Sequence, residues 1–149
     1  MAAAVVTRLG FGKTDVVQML NGCIGGLVAI TAEPLMPSPL AAILIGAVGG
    51  IIVVYGTKLL FSLKIDDVVG AIPAHLFAGI WGTLAVPITN PDTSFGTQFL
   101  GVISINVFVF VVALIVWSIM KATIGIRLSK EAEIKGTDVT ETGVIAYAI

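Results

Sequence analysis

The stretch TQFLGVISINVFVFVVALIVWSIMK, residues 97–121, decides the fold class of this chain. Its first charged side chain is Lys121, and a helix needs about 20 mostly apolar residues to cross the hydrocarbon core of a bilayer. Apolar and polar residues do not alternate along it, as they would in a strand of a membrane barrel. The stretch therefore predicts a transmembrane α-helix.

Three more apolar stretches precede this one along the chain. Loop-forming residues separate them: a proline-rich turn follows the first stretch, and NPDTS, residues 90–94, follows the third. We predict an all-α fold, a polytopic membrane helix bundle with four transmembrane helices at about 15–32, 39–61, 67–88 and 97–121.

The composition indicates that most of the surface meets lipid. Apolar residues make up 57% of the chain and charged residues 11%, whereas soluble domains average about 25% charged residues. We expect residues 1–124 to form the transmembrane part within the lipid bilayer, and residues 125–149 to form a polar cytoplasmic tail. A net charge of −1 without a basic cluster favours no nucleic acid partner.

The basic residues all fall on one side of the predicted bundle. They precede the first helix, lie at the junction of the second and third, or lie at or beyond the end of the fourth. The positive-inside rule makes that face cytoplasmic, in an inner or plasma membrane, and predicts that both termini of the chain are cytoplasmic. The residues are Arg8, Lys13, Lys58, Lys64, Lys121, Arg127, Lys130 and Lys135.

Small residues recur at four-residue spacing in three of the predicted helices, which lets helix backbones approach closely in lipid. The fourth helix is bulkier, so we expect it on the lipid-facing perimeter. The rows are Gly22 and Gly26, Gly25 and Ala29, Ala42 with Gly46 and Gly50, and Gly70 with Ala74, Ala78 and Gly82.

His75 is the one ionisable side chain that clearly falls deep within a predicted span. It follows Asp67 by eight residues, about 12 Å along a helix, and low dielectric favours a neutral imidazole that both donates and accepts hydrogen bonds. Gly79 and Gly82 share its face and would leave space beside the ring. Two roles stay open: a residue lining a cavity or pore, or a buried histidine bonded to a neighbouring helix.

Other polar or unusual residues near this span have simpler interpretations. Pro73 has no N–H for the carbonyl of Val69, so the helix should kink or leave that carbonyl bare. Asp67 suits a helix N-terminus as a cap, and Asn21 could bond across helices. The sequence contains no nucleophile elbow, phosphate loop or metal-ligand spacing, so we expect no enzyme activity, no cofactor and no metal.

Four segments together resemble the C-terminal part of the ammonium transporter family, the Amt, Mep and Rh proteins. The aspartate pair, the histidine eight residues after it and the following Gly-x-x-Gly are the most specific part of this resemblance. The segments are NGCIGGLVAITA (21–32), LAAILIGAVGGIIVVYGTKLL (40–60), DDVVGAIPAHLFAGIWGTLAV (66–86) and GIRLSKEAEIKGTDVTETGVIAY (125–147).

The resemblance implies an eleven-helix transporter fold, of which this chain is a C-terminal fragment holding the last four helices and the tail. It implies a homotrimer with one histidine-lined hydrophobic pore in each subunit, and ammonium or ammonia as the substrate. By the same resemblance, His75 is a pore residue, and Asp67, Gly70, Gly79 and Gly82 are structural residues of the pore helix.

The tail resembles the family's regulatory segment, which packs against a neighbouring subunit, although its composition alone is typical of a disordered tail. PII-type nitrogen-signalling proteins bind this cytoplasmic face in some members, but Thr142 and Val144 stand where the family usually has histidine and glutamate. The matching tail residues are Gly125, Arg127, Glu131, Glu133, Gly136, Asp138, Ala146 and Tyr147.

Two other functions stay open. The chain could be a self-sufficient small four-helix transporter, but those proteins carry a membrane-embedded carboxylate in the first span, and Asp15 lies at its cytoplasmic edge. It could instead be a non-transporting membrane subunit that regulates full-length partners through its tail. Ammonium uptake by this chain alone, or only with a partner, would separate these functions.

Overall fold

The computed structural model describes residues 1–35 and 37–146, and every regular element in those ranges is helical, which confirms the all-α prediction. The chain divides into two compact units, Met1–Ile105 and Asn106–Ile149. The elements are α1 (Ala2–Phe11), α2 (Val16–Ile30), α3 (Pro39–Ser62), a π-helical turn (Ile72–Phe77), α4 (Ala78–Thr89), α5 (Phe95–Thr123), α6 (Lys130–Lys135) and a second π-helical turn (Asp138–Thr142).

Three helical stretches of the described chain are long and apolar enough to cross a membrane: α3, the continuous stretch Ile72–Thr89, and α5. The first predicted span is also helical, but α2 has only 15 residues, or about 22 Å at 1.5 Å per residue. It is therefore shorter than the hydrocarbon core of about 30 Å. The protein is a multi-pass membrane protein with a shorter apolar helix among its spans.

Helix α1 was absent from the sequence prediction because its 10 residues are too few for a span. It ends where Gly12 takes a left-handed conformation with φ 75°, a conformation that glycine adopts at little steric cost. Its small residues pack on the bundle: Ala3 is buried, and its side chain occupies the place where Gly22 would carry a β-carbon. Thr7 is also buried and donates to the Ala3 carbonyl at 2.9 Å.

The small-residue rows lie where α2 meets α3. A β-carbon on Gly26 would lie 3.1 Å from the carbonyl oxygen of Gly46. A β-carbon on Gly46 would lie 3.3 Å from the carbonyl oxygen of Gly26. Larger side chains would push the two backbones apart, so glycine at both positions permits the close packing that holds helices together in lipid.

Polar contacts define two opposite ends of the unit Met1–Ile105. At one end, the Asn90 side-chain amide donates to the Glu33 carboxylate at 2.8 Å, which joins the loop after α2 to the end of α4. At the other end, the Lys58 ammonium lies 3.8 Å from the centre of the Phe11 ring. Because α2 and α4 end together, they run in the same direction, as alternating membrane spans require.

Helix α5 has 29 residues, Phe95–Thr123, and none of them is buried. Leucine, isoleucine, valine and phenylalanine are exposed along its length. Such a surface would be unfavourable in water and is suited to hydrocarbon. A position on the lipid-facing perimeter stays a prediction for this helix.

Candidate functional site

The helix that carries His75 begins later than the sequence predicts. Residues 68–70 form a turn without regular helix, Gly70 has φ 77°, and the π-helical turn starts at Ile72. The calculation of about 12 Å along a helix from Asp67 to His75 is therefore wrong, because only part of that stretch is helical.

The carboxylate of Asp67 caps the start of this helix from outside it. Its Oδ1 accepts from the Ala71 N–H at 2.9 Å, and its Oδ2 accepts from the Ile72 N–H at 2.9 Å. Both N–H groups lie at a helix start, where backbone donors lack intrahelical acceptors. A carboxylate is favoured there by the hydrogen bonds and by the helix dipole.

The carbonyl of Val69 has a partner from another helix. Pro73, four residues later, has no N–H to donate to it, and the Asn21 side-chain amide of α2 donates instead, at 2.7 Å. A β-carbon on Gly70 would lie 2.5 Å from that amide nitrogen. Glycine is therefore required at position 70 for two reasons: the positive φ, and the close approach of the Asn21 amide.

His75 lies in the π-helical turn, and its side chain is exposed. Within residues 1–35 and 37–146, its imidazole makes no hydrogen bond or ion pair. The flanking Pro73, Ala74 and Ala78 are buried. Single π-helical turns inside α-helices occur frequently at functional sites, and this one holds the imidazole on an open face of a tightly packed segment.

The opposite face of the same helix is closed by contacts with α2 and α3. A β-carbon on Gly56 of α3 would lie 2.7 Å from the Phe77 ring and 2.9 Å from Pro73. A β-carbon on Gly82 would overlap the carbonyl of Ala29 in α2. The expectation that Gly82 leaves open space is therefore wrong, because the Ala29 backbone fills the place of its β-carbon. A β-carbon on Gly79 would have its nearest neighbour, Val28, at 3.7 Å.

Two further hydrogen bonds tie the helices around the site. The Thr57 hydroxyl of α3 donates to the Gln18 side-chain oxygen of α2 at 3.3 Å. The Trp81 indole N–H donates to the carbonyl of Ile45 at 3.0 Å. The sequence suggested cross-helix bonding for residues of α2, but it did not identify Asn21 as a partner of the segment before His75.

The tail forms local contacts of its own. Arg127 and Glu133 form an exposed ion pair at 3.1 Å, Glu131 lies in the first turn of α6, and Asp138 accepts from the Ala146 N–H at 2.9 Å. Glycines with positive φ, Gly125 at 78° and Gly136 at 101°, mark the bends. Tyr147 lies outside the described residues.

The tail turn should respond to acid through Asp138. The Ala146 N–H, followed by the Val139 N–H, lowers the pKa of this carboxyl below its usual value. A carboxyl with a lowered pKa stabilises the turn above the unfolded value of about 3.9, and the stabilisation is lost as pH falls through the folded pKa. In an NMR titration of the chain in micelles, the Ala146 amide proton should follow Asp138 with a midpoint below that of a free aspartate.

The matched variants make this titration decisive. Asp138→Asn should abolish the shift of the Ala146 amide, whereas Glu141→Gln in the same π-helical turn should preserve it. A midpoint at or above the value of an ordinary aspartate would contradict the proposed hydrogen bond.

Comparison with known proteins gives a consistent result. The model of the Ammonium Transporter Family matches residues 1–147. The chain is 38% identical over 168 residues to "Ammonium transporter Amt2" of Archaeoglobus fulgidus, covering 99% of this chain and 36% of that protein. It is 41% identical over 133 residues to a putative ammonium transporter of Synechocystis, covering 88% of this chain and 30% of that protein.

A solved structure agrees with the sequence matches. A protein titled "Sensor Amt Protein" superposes with a TM-score of 0.87 at 29% identity, over 94% of this chain and 38% of that one. This chain therefore spans about a third of the length of the relatives that it matches, 36% and 30% in the two proteins above. The family match over residues 1–147 confirms the resemblance found in the sequence: the chain belongs to the ammonium transporter family.

Proposed function

We propose that this chain takes part in ammonium transport across a membrane, as the C-terminal part of a channel whose pore passes His75. The observation that carries the proposal is the exposed imidazole on a π-helical turn whose neighbours Pro73, Ala74 and Ala78 are buried. Its family membership supplies ammonium as the substrate class. His75 is the only histidine in the sequence, so this role cannot pass to another imidazole of the same chain.

A neutral imidazole can form hydrogen bonds with a small polar molecule, such as ammonia, that has left water. A neutral imidazole donates from one ring nitrogen and accepts at the other, so it can replace hydrogen bonds that ammonia loses on entering an apolar passage. A passage without fixed charge and with low dielectric penalises any ion that stays unpaired. We therefore propose that ammonium releases its proton to water at the entrance, that ammonia passes His75 as a hydrogen-bonded molecule, and that the released proton crosses separately through a relay that includes the imidazole, so that net charge is transferred.

We propose that helices outside this chain close the passage over His75. The imidazole lies on an exposed face, and the chain spans 36% of the length of the Archaeoglobus relative. The neighbouring Leu76, which is 42% exposed, adds apolar surface on which such helices would pack. In this proposal the chain is one part of an eleven-helix subunit in a homotrimer, and its tail contacts a neighbouring subunit and forms the face open to a PII-type protein.

The orientation that we propose follows from the two ends of the unit Met1–Ile105. The loop containing Lys13 lies near the end where Lys58 meets Phe11, so we propose that this end is cytoplasmic. The basic residues of the tail predict a cytoplasmic tail by the same rule. Helix α1 ends at Phe11 near that end, and Met1 lines a cleft together with Gly22. A cytoplasmic location of both termini stays a prediction.

Uptake in cells that lack ammonium transporters tests the proposal. One arm expresses this chain alone, and a second adds the upstream segment of the Archaeoglobus relative, with both polypeptides quantified in the membrane. We expect labelled methylammonium uptake, and growth on limiting ammonium, only in the second arm. No uptake in either arm, with both polypeptides present and associated, would contradict the transport proposal. Uptake by the chain alone would contradict the proposal that the chain is only one part of a channel, and it would favour a self-sufficient transporter.

A further inference from the structure

We propose that Asn21 is a positioning residue for His75. In this proposal the side-chain amide of Asn21 fixes the π-helical turn Ile72–Phe77, and with it the direction of the imidazole, through its hydrogen bond to the Val69 carbonyl. The structural part of the inference stands on its own, and its consequence for transport rests on the proposed function of His75.

The Val69 carbonyl, before the turn, needs a hydrogen-bond donor from outside its own helix. In a regular α-helix the Val69 carbonyl would accept from the N–H of residue 73, which is a proline here. The proline leaves this carbonyl without that donor. The Asn21 amide supplies that donor at 2.7 Å, so the helix can start at Ile72 without an unsatisfied carbonyl on Val69.

The hydrogen bond from Asn21 to Val69 connects the segment before the turn to another helix. Asp67 fixes the same segment through the N–H groups of Ala71 and Ile72, but those three residues belong to one local stretch. Asn21 lies 48 positions away in sequence from Val69, on α2. Pro73 and Phe77 of the turn also pack against α3. Asp67 therefore determines the local shape of the segment, and Asn21 ties that segment to α2.

Gly70 lies close against the side-chain amide of Asn21. Its φ of 77° turns the chain between Val69 and the helix, and a β-carbon there would lie 2.5 Å from the Asn21 amide nitrogen. A substitution at Gly70 would thus displace the amide without removing it. Asn21 and Gly70 are two independent places at which the same hydrogen bond can be broken.

If Asn21 only held two helices together, removing its hydrogen bond would affect His75 no more than removing another hydrogen bond between helices. Thr57 donates to Gln18 at 3.3 Å and also joins α2 to a neighbour, and neither partner of this bond belongs to residues 67–77. Thr57→Val removes that bond with little change in volume. It is the matched control for Asn21→Leu, which removes the amide at similar size.

The experiment uses the full chain, labelled with ¹³C and ¹⁵N in histidine, in lipid nanodiscs. Because the chain has one histidine, its ring cross-peaks report His75 without assignment. We expect Asn21→Leu and Gly70→Ala to shift these peaks beyond their linewidth or split them, and Thr57→Val to leave them in place. Unchanged His75 peaks in Asn21→Leu, with helical circular dichroism retained, would overturn the proposal.

A measurement on the unaltered chain keeps the test valid if a variant fails to fold. Nuclear Overhauser contacts should connect the Asn21 side-chain amide protons with the Gly70 α-protons, and their absence would overturn the proposal. Both readouts need no transport. Failure of the uptake experiment would therefore leave the Asn21 result standing, and failure here would leave the transport proposal standing.

Discussion

Replacing Gly82 with alanine should destabilise the bundle by about 1–3 kcal/mol, as overpacking of a close-packed site does. The new β-carbon would lie 2.8 Å from both the Cα and the carbonyl carbon of Ala29 and would overlap its carbonyl oxygen. These are backbone atoms of α2, so no side-chain rotation can relieve the overlap. The helices would have to separate, which removes the contacts that stabilise helix pairs in lipid.

Unfolding of the purified chain in mixed micelles by added SDS, followed by tryptophan fluorescence, to which Trp81 and Trp117 contribute, measures this effect. The matched control is Gly79→Ala, made in the same helix, where the nearest atom to the new β-carbon is a Val28 methyl at 3.7 Å. We expect Gly79→Ala to unfold at the same SDS fraction as the unaltered chain or higher, because alanine favours helix over glycine. Equal destabilisation by both variants would show that the close approach at Gly82 does not limit stability.

Membrane helices and their packing surfaces were predictable because lipid imposes simple rules on a sequence. A span needs length and apolarity, both of which are visible in residues 97–121. Close helix approach needs small residues at four-residue spacing, as Gly22 and Gly26 are placed. The short helix α1 escaped prediction because 10 residues carry no span signal, and its stability comes from packing on other helices rather than from its own sequence.

The start of the third helix was less predictable because tertiary contacts fix it. The sequence indicated that Pro73 removes a donor from the Val69 carbonyl, but nothing in the local sequence identifies Asn21 as the replacement. Pairing between residues 48 positions apart depends on how α2 lies against the turn. The positive φ of Gly70 likewise follows from this arrangement, since glycine also occurs in helices at many other positions.

The face of His75 was only partly predictable for the same reason. Helical spacing places Gly82 on the side of the imidazole when residues 75–82 are treated as a regular α-helix. The π-helical turn at Ile72–Phe77 changes the angular relation between residues before and after it. In the structure, Gly82 is buried against Ala29, whereas His75 is exposed.

His75→Ala should reduce ammonium conduction by about fivefold to about 140-fold. Leaving ammonia without its hydrogen-bond partner in the passage costs about 1–3 kcal/mol of free energy. A free energy of about 1.4 kcal/mol corresponds to a factor of ten in rate or equilibrium constant. The reduction should come without loss of assembly, because the imidazole bonds to no residue in the described part of the chain. His75→Gln keeps a donor and an acceptor but cannot titrate, so it separates hydrogen bonding from proton relay.

The most direct measurement is the ammonium-elicited current of proteoliposomes that contain this chain assembled with the upstream segment of a relative. Equal amounts of assembled protein with and without His75→Ala are compared on a solid-supported membrane. A current that falls at least about fivefold in the variant, while protein in the membrane stays equal, is the predicted result. An unchanged current in His75→Ala would contradict a pore that passes this imidazole.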